Sequence, residues 1–340
     1  MKIIVTGGAG FIGCNAVARF AHQGHDVVVV DDLSRQGTDG NLEWLKTQGK
    51  FDFVRQDVRG REPLEALFKV HHDADVVLHL AAQVAVTTSV TDPRNDFEIN
   101  ALGTFNVLEA TRRFAPRALV IYSSTNKVYG GLHHIGTQEV GGRHQLVDRP
   151  HGVAESEPLD FHSPYGCSKG AADQYVVDYA RIYGMRTVSL RQSCIYGTRQ
   201  FGVEDQGWVA WFTIAGVLGR KVTIYGDGKQ VRDILFVDDL VDLYEACMSS
   251  PDKVSGKAYN VGGGPANQLS LLELLNNLEQ RLGRPIERSF APMRPGDQPV
   301  FVADIRKVRE ELDWQPKTDA NTGIARLYDW VATHRQLFAP

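Results

Sequence analysis

Met1-Lys-Ile-Ile-Val-Thr-Gly-Gly-Ala-Gly-Phe-Ile-Gly13 and, after a helical run, Val27-Val-Val-Val-Asp31-Asp32 decide how this 340-residue chain is read. Residues 2–6 are a short apolar run rich in β-branched side chains, which reads as a buried parallel strand. Gly7, Gly10 and Gly13 follow at once. The first permits a tight turn, the second lets the backbone approach a pyrophosphate, and the third lets the next helix pack close to the strand. The start of that helix offers unpaired N–H groups and a partial positive charge to phosphates. Residues 27–30 read as a second buried strand. Asp31, 18 residues after Gly13, ends it where a carboxylate can accept from both ribose hydroxyls of NAD. Asp31 would repel the 2′-phosphate of NADP, although Arg35 lies close enough to keep that cofactor in view. Phe11, Ile12, Asp32 and Ser34 flank these positions and join the candidate cofactor set.

Composition bounds the rest. The chain is 43% apolar and 23% charged, as expected of a globular protein with a sizeable core, and its length suits two domains. A net charge of −4 gives no basic patch, so nucleic acid is not expected as a partner. No apolar run has the length of a membrane span, and the first residues read as a core strand, not a signal peptide. Cys14, Cys167, Cys194 and Cys247 are widely spaced with no CxxC, which suggests reduced thiols in a cytoplasm, without metal or disulfides.

Residues 41–48 read as a short exposed helix. Phe51-Asp-Phe-Val-Arg-Gln-Asp57-Val58 is a third strand whose end lies near the adenine in a doubly wound sheet. Asp57, with Val58 beside it, is thus a candidate for the adenine amino group; a strand-end turn is the plainer alternative. Val76-Val-Leu-His79-Leu80-Ala81-Ala82 is a fourth strand with a small end, so Leu80, Ala81, Ala82 and the following Gln83 join the cofactor candidates. His79, inside the apolar run, reads as a satisfied core histidine. Residues 83–89 are expected to form a polar loop over the pocket. Asp92-Pro starts a long helix that carries Asn100, a further cofactor candidate. Residues 118–122 are a fifth strand ending in Ser123-Ser-Thr125-Asn-Lys127-Val-Tyr-Gly130. Hydroxyls at the carboxyl end of a central strand lie where a doubly wound fold keeps its chemistry, though simple capping would also use them.

Residues 131–162 form a long polar loop, a length usually associated with function or mobility. Its histidines, His133, His134, His144 and His151, lack ligand spacing and read as solvated, so no metal is expected. Ser163-Pro-Tyr165-Gly-Cys-Ser-Lys169 reads as a helix start. Tyr165 and Lys169 are four apart and share one face. An ammonium beside a phenol lowers its pKa from about 10, which makes Tyr165 a plausible acid/base. Residues 186–197 read as a sixth strand leaving the cofactor domain, and Gln206-Gly207-Trp208 as a helix start in a second one. Residues 222–233 are a strand and Gly-rich turn whose cations could hold a diphosphate. Arg232 suits this through its bidentate fork; a surface hairpin charge is the alternative. Residues 235–248 read as a helix, residues 258–264 as a strand into a tight loop, and Ser270 as the cap of the next helix. Arg294-Pro-Gly-Asp297 is a turn with a second arginine; Trp314 and a helix from Ala320 close the core. The expected fold is α/β: a Rossmann-type doubly wound parallel sheet over residues 1–190 with a returning segment at about 232–263, and a smaller C-terminal α/β substrate domain over 191–231 and 264–340.

Gly7-x-x-Gly10-x-x-Gly13, Thr125 four before Tyr129, Tyr165-x-x-x-Lys169, Arg232-Asp233 and Arg294-Pro-Gly-Asp297 fall in one order. Together they resemble the extended short-chain dehydrogenase/reductase family of nucleotide-sugar epimerases and dehydratases, over essentially the whole chain. Ser124-Thr-Asn-Lys-Val-Tyr-Gly130, the stretch from Asp160 to Tyr175, Asp205-Gln-Gly-Trp208, Gly228-Lys-Gln-Val-Arg-Asp233 and Val302-Ala-Asp304 are similar to the family's 2-epimerases of CDP-linked sugars. The resemblance implies tightly held NAD, reduced and reoxidised within one turnover. It implies Tyr165 as base, Lys169 tuning it and binding the nicotinamide ribose, and Thr125 on the reacting oxygen, with Ser123 beside the cofactor. Substrate contacts would come from Thr125, Asn126, Gln192, Gln206, Gly207, Tyr225, Arg232 and Arg294, in a homo-oligomer (dimer or tetramer). Dehydratases of the family carry an acidic pair directly after the Thr. Here those positions are Asn126 and Lys127, neither of them the carboxylate that elimination requires. A 4-epimerase of UDP- or GDP-linked sugars would use the same catalytic set. A non-catalytic NAD-binding protein would have no need of a tuned phenol.

Overall fold

The computed structural model describes residues 1–294 and 297–338. Seven parallel strands form the central sheet, in the spatial order Lys257–Val261, Thr187–Gln192, Leu119–Thr125, Val76–His79, Lys2–Thr6, Asp26–Asp31, Asp52–Arg55. The winding reverses between Lys2–Thr6 and Val76–His79, and in such sheets the crevice outside the carboxyl ends at that reversal is where ligands bind.

Helices cover both faces, and that is why these strands are apolar on both sides. The period of two divides them: Ile3, Val5, Val27 and Val29 pack with Val17 and Phe20 of the helix Phe11–His22. Ile4, Val28, Val30 and Val77 pack with Leu64 and Phe68 of Arg61–Val70 and Val107 of Gly103–Phe114. Each such side chain contributes roughly 1.5–3 kcal/mol when fully buried, so the strand ends are anchored rigidly.

The strand ends are shorter than the apolar runs suggest. The third strand stops at Arg55 and the fourth at His79, which leaves Asp57 and residues 80–82 on loops above the sheet. His79 is satisfied inside the core: Nδ1 meets Thr6 Oγ1 at 2.6 Å and Nε2 meets Thr104 Oγ1 at 3.0 Å, and burial pushes its pKa down to about 3. The expected exposed helix at 41–48 is in fact Thr38–Gln48, and it buries Asn41, Leu42 and Leu45 against the core. Residues 83–89 are not all loop: Val86–Thr91 is helical despite its β-branched side chains, with Ser89 buried and its hydroxyl donating to Val86 O at 2.7 Å. Packing on the neighbouring helices overrides the weak local propensity.

The 131–162 segment contains a hairpin, Thr137–Val140 with Arg143–Leu146. It is tied across by Lys229 Nζ to Glu139 at 2.7 Å and by His144 Nε2 to Asp227 at 2.9 Å. Residues 186–197 are two strands, not one. Thr187–Gln192 stays in the central sheet, and Cys194–Tyr196 pairs with Val231–Phe236 in a second sheet. Ser193 makes the crossing, donating N–H to Val261 O at 2.7 Å and its hydroxyl to Asp233 O at 3.2 Å. Val222–Tyr225 is no hairpin partner of Val231–Phe236; it pairs in parallel with Arg288–Ala291. Leu235 belongs to the strand, and the following helix is Val237–Ser249. Ser270 caps Leu271–Leu282 in a full capping box with Glu273. No described helix is long and apolar enough to cross a membrane.

Candidate active site

A cavity runs along the carboxyl ends of the strands, from Asp57 and Asp31 past Gly7, Gly10 and Gly13 to Thr125, Tyr165 and Lys169, and on to Gln192 and Gln206. Phe11, Ile12, Asp32, Ser34, Val58, Leu80, Ala81, Ala82 and Ser123 also line it. At Gly7 the backbone has φ +69°, and a Cβ would stand 2.6 Å from Ala81 N. At Gly13 a Cβ would come within 2.2 Å of Gly7 O, so the helix can pack this close only without one. No side chain caps the N-terminus of Phe11–His22. An uncapped helix start at a bare backbone cradle fits a pyrophosphate.

Asp31 lies beside this cradle. Its Oδ2 accepts from Ala9 N at 3.0 Å and its Oδ1 from Leu33 N at 2.9 Å, which leaves further lone pairs for ribose hydroxyls. Burial pushes its pKa up, and the backbone bonds resist. Arg35, the residue that kept NADP in view, reaches across the cleft to Gln206 Oε1. Asp32 Oδ1 accepts from Ser34 N at 3.0 Å and Ser34 Oγ at 2.7 Å. Asp57 is engaged by Arg59 (Nε to Oδ2 2.8 Å), which outweighs burial and holds its carboxyl below the usual range. Gln83 and Asn100 do not line the cavity: Gln83 N donates to Asn100 Oδ1 at 2.9 Å, and Asn100 Nδ2 donates to Gln83 O at 3.0 Å. Their amides shape the loop behind the cavity wall.

At the inner end, the helix Ser163–Tyr183 presents Tyr165 and Lys169 one turn apart, both buried. Burial pushes the Tyr165 phenol up to about 12, against a hydrogen bond with the Thr125 side chain and the nearby Arg35 cation. Burial likewise pushes Lys169 down to about 7, opposed by Asp173 and then Asp96. The expected lowering of the phenol by Lys169 is not what the geometry delivers. The ammonium donates to Ser123 O and lies 4.3 Å from the Tyr122 ring centroid, so desolvation dominates at the phenol. Asp173 accepts from Ser124 Oγ at 2.8 Å and Arg191 Nη2 at 2.8 Å, locking the helix to the end of the strand Leu119–Thr125. The sequence reading missed it, although Asp173 stands four residues past Lys169 on the same helix face. Arg199, also missed, lines the cavity and lies 4.3 Å from the Trp44 ring centroid.

Of the other substrate candidates, Gln192 and Gln206 line the cavity, whereas Asn126, Gly207, Tyr225, Arg232 and Arg294 are not among its lining residues. Asn126 Nδ2 donates to Gln298 Oε1 at 3.5 Å, and Gln192 Nε2 donates to Tyr244 Oη at 3.2 Å. Arg232 is buried and not a surface hairpin charge: Nη1 donates to Val231 O at 2.8 Å and Nη2 to Asp297 Oδ1 at 2.7 Å. Arg294 stacks 3.8 Å from the Tyr225 ring centroid and pairs with Asp205 at 2.8 Å. Of the Arg294–Asp297 turn, residues 295 and 296 lie outside the described residues. Gly207, at φ +77°, precedes the helix Trp208–Leu218.

Comparison with known proteins agrees with this geometry. A model of the NAD dependent epimerase/dehydratase family matches residues 3–262. The chain is 47% identical to the CDP-paratose 2-epimerase of Salmonella typhi, over 98% of this chain and 100% of that protein. The UDP-glucose 4-epimerase of Thermotoga maritima, solved with UDP-glucose, superposes with a TM-score of 0.84 at 31% identity, covering 100% of both chains. The UDP-glucose 4-epimerase of Thermus thermophilus, solved with NAD, gives a TM-score of 0.80 at 32% identity, covering 97% of this chain and 98% of that one.

Proposed function

The chain belongs to the NAD-dependent epimerase/dehydratase family, and we propose that it inverts carbon 2 of a nucleotide-linked hexose, interconverting CDP-paratose and CDP-tyvelose or a related pair through a transient 2-keto sugar. One observation carries the epimerase reading: Thr125, Tyr165 and Lys169 line the inner end of one cavity, and Asn126 and Lys127 follow Thr125 where elimination would need carboxylates. The choice of carbon 2 and of a CDP-linked sugar rests on the 47% identity to the Salmonella typhi enzyme over nearly the whole chain.

Gly7, Gly10 and the start of Phe11–His22 would hold the pyrophosphate of NAD, Asp31 the adenosine ribose, and Lys169 the nicotinamide ribose. NAD, when bound, supplies the group that takes hydride from the sugar carbon and returns it to the opposite face. Tyr165 would take the sugar hydroxyl proton at Oη as its phenolate, a form that the Lys169 cation would favour once drawn to the nicotinamide ribose, and would later give it back, while Thr125 orients the same oxygen. Burial of Tyr165 and Lys169 keeps water from the ketone. Arg232 and Arg294 hold the anionic end of the substrate. A second copy of the chain would cover the aromatic face on which Phe105, Tyr175 and Tyr183 are exposed, and light scattering would show the oligomer.

The test is proton NMR of the purified protein with CDP-paratose, CDP-glucose, GDP-glucose and UDP-glucose, with no cofactor added. Inversion at carbon 2 is expected. Inversion at carbon 4 would make the chain a 4-epimerase with the same catalytic set, and no turnover of any sugar would overturn the epimerase reading.

A further inference from the structure

Asp96 is a buried carboxylate behind the wall of the cavity. It sits on the short helix Pro93–Phe97, which packs against Ser163–Tyr183, the helix that carries Tyr165 and Lys169. Its Oδ2 accepts from Ser168 Oγ at 2.5 Å, and the same hydroxyl lies 3.2 Å from Tyr165 O. Its Oδ1 accepts from Gln83 Nε2 at 2.9 Å and from Asn100 Nδ2 at 3.1 Å. Asn100 comes from Glu98–Leu102, a π-helical turn of a kind frequent at functional sites. All three partners are neutral, and among the described residues no cation touches Asp96.

A neutral amide would fit this place as well. With its oxygen towards Gln83 and Asn100, its NH2 would donate to Ser168, whose hydroxyl would turn to Tyr165 O. Shape and hydrogen bonding therefore do not call for a carboxylate, and burying an ion without a paired cation is costly. What the carboxylate adds is its field. Two buried groups feel it: the charge favours the Lys169 ammonium and opposes the Tyr165 phenolate. Burial pushes Lys169 down to about 7, so near neutrality its proton is held only narrowly. The other acid that favours the ammonium, Asp173, is already paired with Arg191 at 2.8 Å. His79 and Tyr122 face Lys169 uncharged, since burial pushes the first down to about 3 and the second well above its ordinary value. Arg35 faces the phenol and favours its ionised form.

We propose that Asp96 sets the working pH of the Tyr165 and Lys169 pair: without touching substrate, its field holds the proton on Lys169 and lifts the whole acid/base window. This rests on the reading of these two residues as the acid/base pair of a nucleotide-sugar epimerase. Asp96 is a positioning residue, acting only through Lys169 and Tyr165. Gln83 and Asn100, which do not reach the cavity, serve the same end by holding this carboxylate behind it.

The experiment uses Asp96→Asn and Ser168→Ala in the NAD-loaded enzyme. The first removes the charge and keeps the bonds; the second removes a bond and keeps the charge. In Asp96→Asn both limbs of the pH profile of kcat are expected to move to lower pH by roughly half a unit or more, because loss of a nearby negative charge makes both groups release a proton more readily. Ser168→Ala is expected to keep both limbs in place, whatever it loses in rate. Tyrosinate absorbance, taken as the difference from the same protein carrying Tyr165→Phe, follows the phenol without turnover. It should show the same downward shift in Asp96→Asn. Unshifted titrations in a folded Asp96→Asn, an equal shift in both variants, or failure of Asp96→Asn to fold would overturn the proposal, since each leaves Asp96 a structural role alone. The epimerase reading fails separately, if the wild type inverts no sugar; the tyrosinate titration still decides the role of Asp96 in that case.

Discussion

The two ends of the cavity are built in opposite ways. The glycine-rich end is mostly backbone: three glycines, one helix start and the carboxylate of Asp31 from the first 32 residues, walled by Asp57, Val58 and residues 80–82. The other end is made of side chains from distant segments: Thr125, Tyr165, Lys169, Gln192 and Gln206. A backbone cradle recognises what all NAD molecules share. Converging side chains recognise one substrate, and there a chain can change its specificity while keeping its fold.

The sharpest way to separate the two ends is Tyr165→Phe. It removes one oxygen from the proton path, so kcat should fall by about 10²–10⁴-fold while bound NAD and melting temperature are kept. Stopped-flow and absorbance measurements would check this; turnover within a few-fold of wild type would take Tyr165 out of the proton path. Next in size is Arg232→Ala, which removes the main partner of Asp297. The expected result is a KM raised by about tenfold to hundredfold with kcat much less affected, the pattern of an anchor distant from the chemistry. Unchanged substrate affinity would make Arg232 a purely structural partner of Asp297.

Gly13→Ala tests the backbone end. Its Cβ would stand 2.2 Å from Gly7 O, so a loss of roughly 1–3 kcal/mol in unfolding free energy and release of NAD are expected. Gly10→Ala, whose Cβ would meet the same oxygen at 3.1 Å, should keep its stability and only loosen NAD. If the two behave alike in denaturant unfolding, close packing is not what the third glycine supplies.

The smallest effect concerns Asp233, buried behind Arg232, where burial pushes its carboxyl up to about 6 against the Ser193 hydroxyl and Gly264 N–H. Between its ordinary value of 3.8 and about 6, the folded state holds a proton that the unfolded state has lost. Stability attributable to this group therefore falls as pH rises through that window. Asp233→Asn keeps the shape without the charge, so its unfolding free energy should vary less between those pH values and be no lower than wild type at neutrality. A variant with the wild-type slope would assign the window to other groups.

Particular residues show where legibility stops. The strand Lys2–Thr6 and the cap Ser270 follow from local pattern and spacing. The division of 186–197 between two sheets does not, because Ser193 turns only where Val261 and Asp233 meet it from distant segments. The helix Val86–Thr91 was hidden because packing, not propensity, sustains it.

By itself, the sequence determined the doubly wound sheet and marked the glycine cradle and the pair Tyr165 and Lys169 as candidates, because strand periodicity, glycine spacing and an i, i+4 pair are local properties of the chain. Only the tertiary structure decided that the Lys169 ammonium turns to Ser123 O, that Asp173 braces its helix, and that Lys127 and Arg232 share Asp297. Those outcomes depend on which charges burial forces together, and burial is set by the packing of segments far apart in the chain.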